Sequence, residues 1–580
     1  MDRLKVFQII IFAVGIIVLM RLFYWQFISQ IASVSSGPIS QDEIPASRGE
    51  IITSDGFALV TNQQAFLLYA KPQEIKGEKE VSKLIAPYLI SEKYATFEAN
   101  LSDDEKKEKE EEIKKKEEEI KNRLQNKQLG WVQLARKMTL VLKDAIKEKS
   151  IPGLGFEQDS KRFYPEASMA AQLLGFVGSD KFGQDTGYFG LEGYYDRTLR
   201  GKPGRLGQEN DPFGIPILVG NYKRVDPEPG SSLHLSIDRV IQYIVEERLK
   251  ADVEKYGAKS GTVIVQNPKS GRILALATYP NYNPALREEF NQDLYKNPAA
   301  ADVYEPGSTF KLVTMSAGIE LGLVSPQTKC DVCSGPRQIS GYEISTWDKK
   351  YYPNSTMSEV IQHSDNIGMT FVSQKLGIDK FYDFILKFGF SKPTGIDLQE
   401  ESAGTIRNKK DWKEIDLATA SFGQGIAVTP IQMVQAVGAI ANRGLLISPK
   451  IVDKTVSSKG QEQVIKPDRT EQVISPKTAA QITEMMVNAV KNGEAQYFAP
   501  KGYDIAGKTG TAQIPVAGHY DPTKTIASFI GFAPANDPEF VMLVRFTEPT
   551  SSPYGAETAA PTFFAIAQRI FNYRGIPPNN

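Results

Sequence analysis

The pattern of apolar and polar positions divides the chain into stretches of different period. Residues 6–20 are almost continuously apolar behind Arg3 and Lys5, and after Arg21 the apolar character resumes through Leu22, Phe23, Tyr24, Trp25, Phe27 and Ile28. A run of that length can cross a bilayer. No small-x-small cleavage site follows it directly and the Tyr24-Trp25 pair suits a membrane–water interface, so an uncleaved anchor within residues 1–30 is expected in preference to a removed leader. Basic residues ahead of the span and few just after it predict a cytoplasmic N-terminus, a single pass through the cytoplasmic (inner) membrane, and an extracytoplasmic chain from about residue 40 onwards.

A polar linker at 33–42 contains Gly37 and Pro38, and the β-prone residues 49–62 are then interrupted by Ser54-Asp55-Gly56, the signature of a hairpin. Residues 102–123 are dense in Glu and Lys with opposite charges three or four apart, which predicts a solvated helical arm; only Ile113 and Ile120 mark an apolar seam. Residues 153–224, rich in glycine, aromatics and turns, read as a loop-rich module. Asp226-Pro227-Glu228-Pro229-Gly230 closes it and marks a domain boundary.

Beyond that boundary, β-prone runs at 261–266 and 272–278 flank the turn Asn267-Pro268-Lys269-Ser270-Gly271. Helical spacing follows. Phe310, Val313, Ala317 and Leu321 place a helix over 301–322 that ends at Gly322, and Thr429-Pro430-Ile431-Gln432 opens a capped helix stopping at Asn442-Arg443-Gly444. Strands return at 504–514, 525–532 and 539–546, and 561–573 closes as a helix. Two strands before the helices and three after them predict an α+β domain over 232–575: a five-stranded antiparallel sheet whose ends meet, sandwiched by helices and carrying a helical lobe.

The 580 residues exceed what one hydrophobic core serves, so a multidomain chain is expected. With 68 basic and 69 acidic residues there is no basic footprint for phosphates, and nucleic acid is discounted as a partner. Cys330 and Cys333 are the two cysteines. Their spacing admits redox activity, half a metal site or a local disulfide. His234, His363 and His519 are too scattered to complete a four-ligand zinc site, so no metal is expected, and a disulfide or two inert thiols is preferred.

Three short motifs stand in order within the last domain: Ser308-Thr309-Phe310-Lys311, Ser364-Asp365-Asn366, and Lys508-Thr509-Gly510 continued by Thr511-Ala512-Gln513. Singly, each has a bland reading: a helix N-cap with an exposed lysine, a polar turn, a bulged edge strand. In this order they match the motif trio of penicillin-binding proteins and class A β-lactamases. A serine hydroxyl is a weak nucleophile that needs a base within reach, and Lys311 sits one helical turn from Ser308. Ser308 is expected to begin a helix, where the dipole and a second cation, Lys508, lower the lysine pKa. Ser364 offers a hydroxyl for proton relay, and Asn366, on the same loop, an amide for the substrate backbone. Gly510 in a strand suggests close approach by a ligand. An extended peptide can then dock by strand addition, its terminal carboxylate meeting Lys508 and the hydroxyls of Thr509 and Thr511. The backbone N–H groups of Ser308 and Thr511 would form the oxyanion hole. The chemistry requires no cofactor.

Over nearly its whole length the chain resembles a class B penicillin-binding protein, and is more similar to the division-type transpeptidases. Besides the three motifs, Arg48-Gly49-Glu50-Ile51, Arg162-Phe163-Tyr164-Pro165, Gly190-Leu191-Glu192, Tyr304-Glu305-Pro306-Gly307 and Phe422-Gly423-Gln424-Gly425 carry the likeness. It implies a pedestal, or dimerisation, domain at 40–225 ahead of the transpeptidase domain. It also implies that Ser308 is acylated by the penultimate residue of a peptidoglycan stem pentapeptide ending in D-Ala-D-Ala, and that a neighbouring stem's amine resolves the acyl-enzyme. β-Lactam antibiotics would acylate the same serine. The resemblance assigns proton transfers to Lys311 and Ser364, donor positioning to Asn366, and carboxylate binding to Lys508, Thr509 and Thr511. A membrane-embedded glycan polymerase is the implied partner, met through anchor and pedestal. Gly555-Ala556 departs from the family's glycine pair. Sending the acyl-enzyme to water would instead make a D,D-carboxypeptidase or β-lactamase-like hydrolase, and a non-catalytic β-lactam-binding scaffold is a further alternative. The large pedestal and the intact Ser308, Lys311 and Lys508 favour the transferase.

Overall fold

The computed structural model describes residues 3–23, 39–94, 102–181, 183–209, 222–516 and 519–579. The N-terminal apolar run lies in a single helix, Arg3–Phe23. Among the described residues no helix is long and apolar enough to cross a membrane. Tyr24, Trp25, Phe27 and Ile28, and residues 33–38 of the linker, lie outside the described residues.

The chain forms two compact units, the first comprising Met1–Ser47, Asn62–Lys161 and Gly201–Gly230. Its charged segment is a helix, Asp103–Gln125, with ion pairs such as Lys116–Glu119 and Arg123–Glu119 three and four residues apart. The expectation of a merely solvated arm is corrected, because Ile120 and Leu124 are buried in a small core with Val81, Ile85 and Leu134. Leu124 lies one turn beyond Ile120, and it completes an apolar stripe that the seam of two isoleucines left too short to read.

The second unit comprises Arg48–Thr61, Arg162–Arg200 and Ser231–Asn580. The Asp-Gly turn forms as predicted: Gly56 takes φ +85°, and Ile51 pairs with Val60. The unit is built on five strands, β1 (Ser260–Gln266), β2 (Ile273–Tyr279), β3 (Ala506–Val516), β4 (His519–Ala533) and β5 (Phe540–Thr547). They are antiparallel throughout in the order β2-β1-β5-β4-β3, so the sheet's two sequence-distant ends meet at β1 and β5. The central strand β5 is buried on both faces, which explains its near-continuous apolar sequence.

Alternation assigns the two faces. Val263, Val265, Met542 and Val544 pack against α1 (Arg239–Tyr256) and the C-terminal helix Ala559–Arg574 through Ile241, Val245, Phe563 and Ile570. Their neighbours Ile264, Val541 and Leu543 join the opposite core with Phe310, Met433 and Ile440. In chain order the helices of that second layer are α2 (Lys311–Glu320), α3 (Asn366–Lys387), α4 (Pro430–Ala441) and α5 (Pro476–Asn492). The capping box at α4 is complete, with Thr429 and Gln432 satisfying each other's backbone N–H groups.

The helix expected over 301–322 is broken. Pro298–Ala301 ends at Asp302, and helical structure resumes as a 3-10 turn, Gly307–Phe310, that runs into α2. Pro306 disfavours helix at Glu305, and Gly307 takes φ +55°, a conformation that favours glycine. Apolar spacing alone does not register that change of direction. Cys330 and Cys333 form a disulfide, buried in the core.

Candidate active site

The Ser308 turn is anchored on three sides. Phe310 and Leu312 are fully buried, Thr309 Oγ1 donates to the Pro306 carbonyl at 2.7 Å, and Gly307 N–H donates to the Gly423 carbonyl at 3.1 Å. Tyr304 and Val428 exchange both backbone hydrogen bonds at 2.9 Å. The Phe422–Gly425 motif therefore cradles the turn, and a Cβ on Gly423 would fall 2.3 Å from the Gly307 carbonyl oxygen. These contacts leave Ser308 half-buried at the start of α2, as its sequence position predicts.

Two lysines converge on one hydroxyl. Lys311 Nζ donates to the Ser364 carbonyl and, at 3.2 Å, to Ser364 Oγ; Lys508 Nζ donates to the same Oγ at 3.0 Å. Lys508 also donates to the Thr509 carbonyl and Oγ1, both at 3.1 Å. All of these side chains are buried, Lys311 completely. Burial, and then the charge of Lys508, hold the Lys311 ammonium well below the ordinary lysine range, with Asp365 and Glu494 opposing the shift. Burial likewise lowers Lys508, against Glu494. An uncharged Lys311 can donate two hydrogen bonds to Ser364 and still keep a lone pair for a proton. Among the described residues its hydrogen bonds go to Ser364, with none to Ser308.

Ser364 and Asn366 do not share a loop as expected. Ser364 is left-handed, with φ +56°, while Asp365 caps α3 by accepting from Ile367 N–H at 2.7 Å. Asn366 is the first residue of that helix, and its Nδ2 donates to the Ser345 carbonyl at 3.0 Å.

On β3, Gly510 is required by the protein's own packing. A Cβ there would lie 2.5 Å from Ser528 Oγ and 2.8 Å from Thr309 Cγ2. That approach seats the Ser308 turn against the strand, and a Cβ on Gly307 would lie 3.0 Å from the Thr511 carbonyl oxygen. Gly307 and Thr309, which flank Ser308, thus lie against Thr511 and Gly510 of β3. Thr511 Oγ1 accepts from Gly555 N–H at 3.1 Å, and Gly555 has no room for a side chain, its Cβ position being 2.4 Å from the Gly510 carbonyl oxygen.

Sequence reasoning missed two carboxylates. Glu305 accepts from Gly425 N–H at 2.9 Å and from the Tyr520 hydroxyl at 3.1 Å, and burial raises its pKa. Glu494 accepts from Thr509 Oγ1 at 2.8 Å. Glu305 lay inside a quoted motif without a role, whereas Glu494 is a lone acidic residue after a helix and carries no sequence signal.

Residues 261–568 match the penicillin binding protein transpeptidase domain, and residues 43–235 the penicillin-binding protein dimerisation domain. The chain belongs to the class B penicillin-binding proteins. It is 32% identical to the stage V sporulation protein D of Bacillus subtilis, over 99% of this chain and 86% of that one. It is 30% identical to the peptidoglycan D,D-transpeptidase FtsI of Escherichia coli, over 77% and 73% respectively. Among solved structures, penicillin-binding protein 3 of Mycobacterium tuberculosis in complex with aztreonam is 26% identical, with a TM-score of 0.69 over 93% of this chain and 98% of that one. A peptidoglycan synthetase from Bifidobacterium adolescentis shares the fold, with a TM-score of 0.73 over 94% of this class B protein. The division-type affinity expected from the motifs agrees with these relatives.

Proposed function

We propose that this class B penicillin-binding protein is a peptidoglycan D,D-transpeptidase that cross-links stem peptides through an ester on Ser308. The carrying observation is the pair of buried lysines on the Ser364 hydroxyl, next to the turn that presents Ser308. Neutral Lys311 takes the Ser308 proton as Oγ attacks the carbonyl of the penultimate D-alanine, with negative charge developing toward the Ser308 and Thr511 N–H groups. The C–N bond to the terminal D-alanine then breaks, and its nitrogen receives the proton by way of Lys311 and Ser364. A neighbouring stem's amine next attacks the ester, the C–O bond breaks, and Ser308 regains its proton. Lys508, Thr509 and Thr511 hold the donor's carboxylate, and Asn366 holds its backbone.

In this reading residues 232–575 perform the chemistry and residues 40–225 form the pedestal. The apolar run at 6–20 anchors the chain once in the cytoplasmic membrane with its N-terminus inside. A membrane glycan polymerase is the partner met through anchor and pedestal. Relatives named as D,D-transpeptidases support the reading. The test is incubation with a fluorescent penicillin, followed by mass mapping of the labelled peptide. A long-lived adduct on Ser308, absent in Ser308→Ala, is expected; rapid turnover would indicate a hydrolase, and no adduct a scaffold.

A further inference from the structure

The place assigned to the donor's terminal carboxylate already faces a carboxylate. Glu494 Oε2 accepts a hydrogen bond from the Thr509 hydroxyl at 2.8 Å, while Thr509 Oγ1 accepts from Lys508 Nζ at 3.1 Å. A threonine hydroxyl has one proton to give. Thr509 therefore cannot donate to Glu494 and to an incoming carboxylate at once. Glu494 is also well held. It follows Gly493, where a Cβ would lie 2.3 Å from the Ala489 carbonyl oxygen and 2.9 Å from that of Gln362. Gln362, two residues before Ser364, donates to the Asn492 carbonyl at 3.2 Å and accepts from Asn488 at 2.9 Å. The carboxylate is fixed to the same body as the proton relay, half-buried, where its charge is felt at short range.

We infer that Glu494 is a specificity-determining residue that competes with anionic ligands for Thr509 and Lys508, acting as a resident counter-ion that the donor's carboxylate must displace. The inference rests on the assignment of Thr509 and Lys508 to that carboxylate. Glu494 lowers the affinity of the free site for any ligand ending in a carboxylate and leaves ligands without that charge unaffected. Removing the charge while keeping an acceptor for Thr509 isolates the effect, because Glu494→Gln retains a side-chain oxygen of the same reach.

The experiment compares acylation of Ser308 by benzylpenicillin, an anion, and by its neutral methyl ester, in the full-length wild-type, Glu494→Gln and Glu494→Asp proteins. The quantity read is the ratio of the two second-order rate constants, which does not depend on the fraction of folded protein. Glu494→Gln is expected to raise the anion-to-ester ratio by about tenfold, the size of one like-charge contact in a partly screened site. Glu494→Asp, which keeps the charge, is expected to hold the ratio near wild type. A ratio that is unchanged or falls in Glu494→Gln, with Ser308 still labelled, overturns the inference alone. Failure of both compounds to label wild-type Ser308 overturns the site assignment and the inference with it.

Discussion

Two buried charge clusters of the second compact unit are built on opposite principles. Arg48 pairs with Glu192 at 2.7 Å and Asp196 at 2.9 Å, and Arg162 pairs with Glu192 at 2.6 Å. Two guanidinium groups thus meet two carboxylates at contact distance. Burial opposes the Arg48 charge, but Glu192 and Asp196 more than offset it, so its pKa is raised. At the active site the ammonium groups of Lys311 and Lys508 meet a hydroxyl and carbonyl groups, and both pKa values are lowered, first of all by burial. The first arrangement holds its charges and fixes backbone; Gly49 N–H donates to the Leu199 carbonyl at 2.9 Å beside it. The second makes the charged state costly, as the proposed base requires. What separates the two clusters is that the first has counter-charges in contact and the second, among the described residues, does not.

The comparison breaks most visibly at Lys311. Lys311→Met removes the base while keeping volume, and acylation of Ser308 by penicillin is expected to fall by about 10²–10⁴-fold, measured by stopped-flow labelling. A loss under tenfold would place the base elsewhere. The next largest effect belongs to the other cluster. Glu192→Gln removes the carboxylate that Arg48 and Arg162 share, and should destabilise the protein by about 3–5 kcal/mol in denaturant titration. The surviving folded fraction should be acylated at the wild-type rate, because neither arginine is part of the acylation chemistry. A slowed rate in that fraction would merge the two clusters into one functional unit.

These two clusters also differ in how far the sequence revealed them. Ser308, Lys311, Ser364 and Lys508 were legible because the family's motifs fix residue type and local spacing, and the hydrogen bonds at Ser364 bring Lys311 and Lys508 together. The five-stranded sheet was legible because its strands alternate or are continuously apolar and are bounded by turn residues. Arg48, Arg162 and Glu192 were visible as motif residues, yet their mutual contact was not. Glu192 lies 144 residues from Arg48 and 30 from Arg162 along the chain, and no local pattern spans such separations. Glu494 and the break at Pro306-Gly307 stayed hidden for a related reason: each is set by what the folded chain places next to it and not by its own neighbours in sequence.

A smaller effect tests the energetic sign of the comparison. A buried lysine with a depressed pKa binds fewer protons when folded than when unfolded, so between its depressed pKa and the ordinary lysine value of about 10.4 stability rises with pH. Lys311→Met removes that penalty. The variant is expected to be more stable than wild type at neutral pH by about 1–4 kcal/mol, and to show a smaller rise in stability with pH through that window, the share of Lys508 remaining. Thermal melts at several pH values read both. An active-site variant that is less stable than wild type at every pH would put Lys311 in the same class as Arg48.

The smallest effect is expected at Asp365, whose charge opposes the lowering of the Lys311 pKa. Its Oδ1 caps α3, whereas its Oδ2 is buried without a hydrogen-bond partner among the described residues. Asn is as good an N-cap as Asp, so Asp365→Asn should keep stability within about 0.5 kcal/mol. Without the carboxylate, the Lys311 pKa falls further, and the acid limb of the pH–acylation profile is expected to move to lower pH while the plateau rate is retained. A limb that moves to higher pH, or stays in place, would mean that Asp365 only caps a helix, and the active-site cluster would then lack even the partial counter-charge that separates a tuned base from an abandoned one.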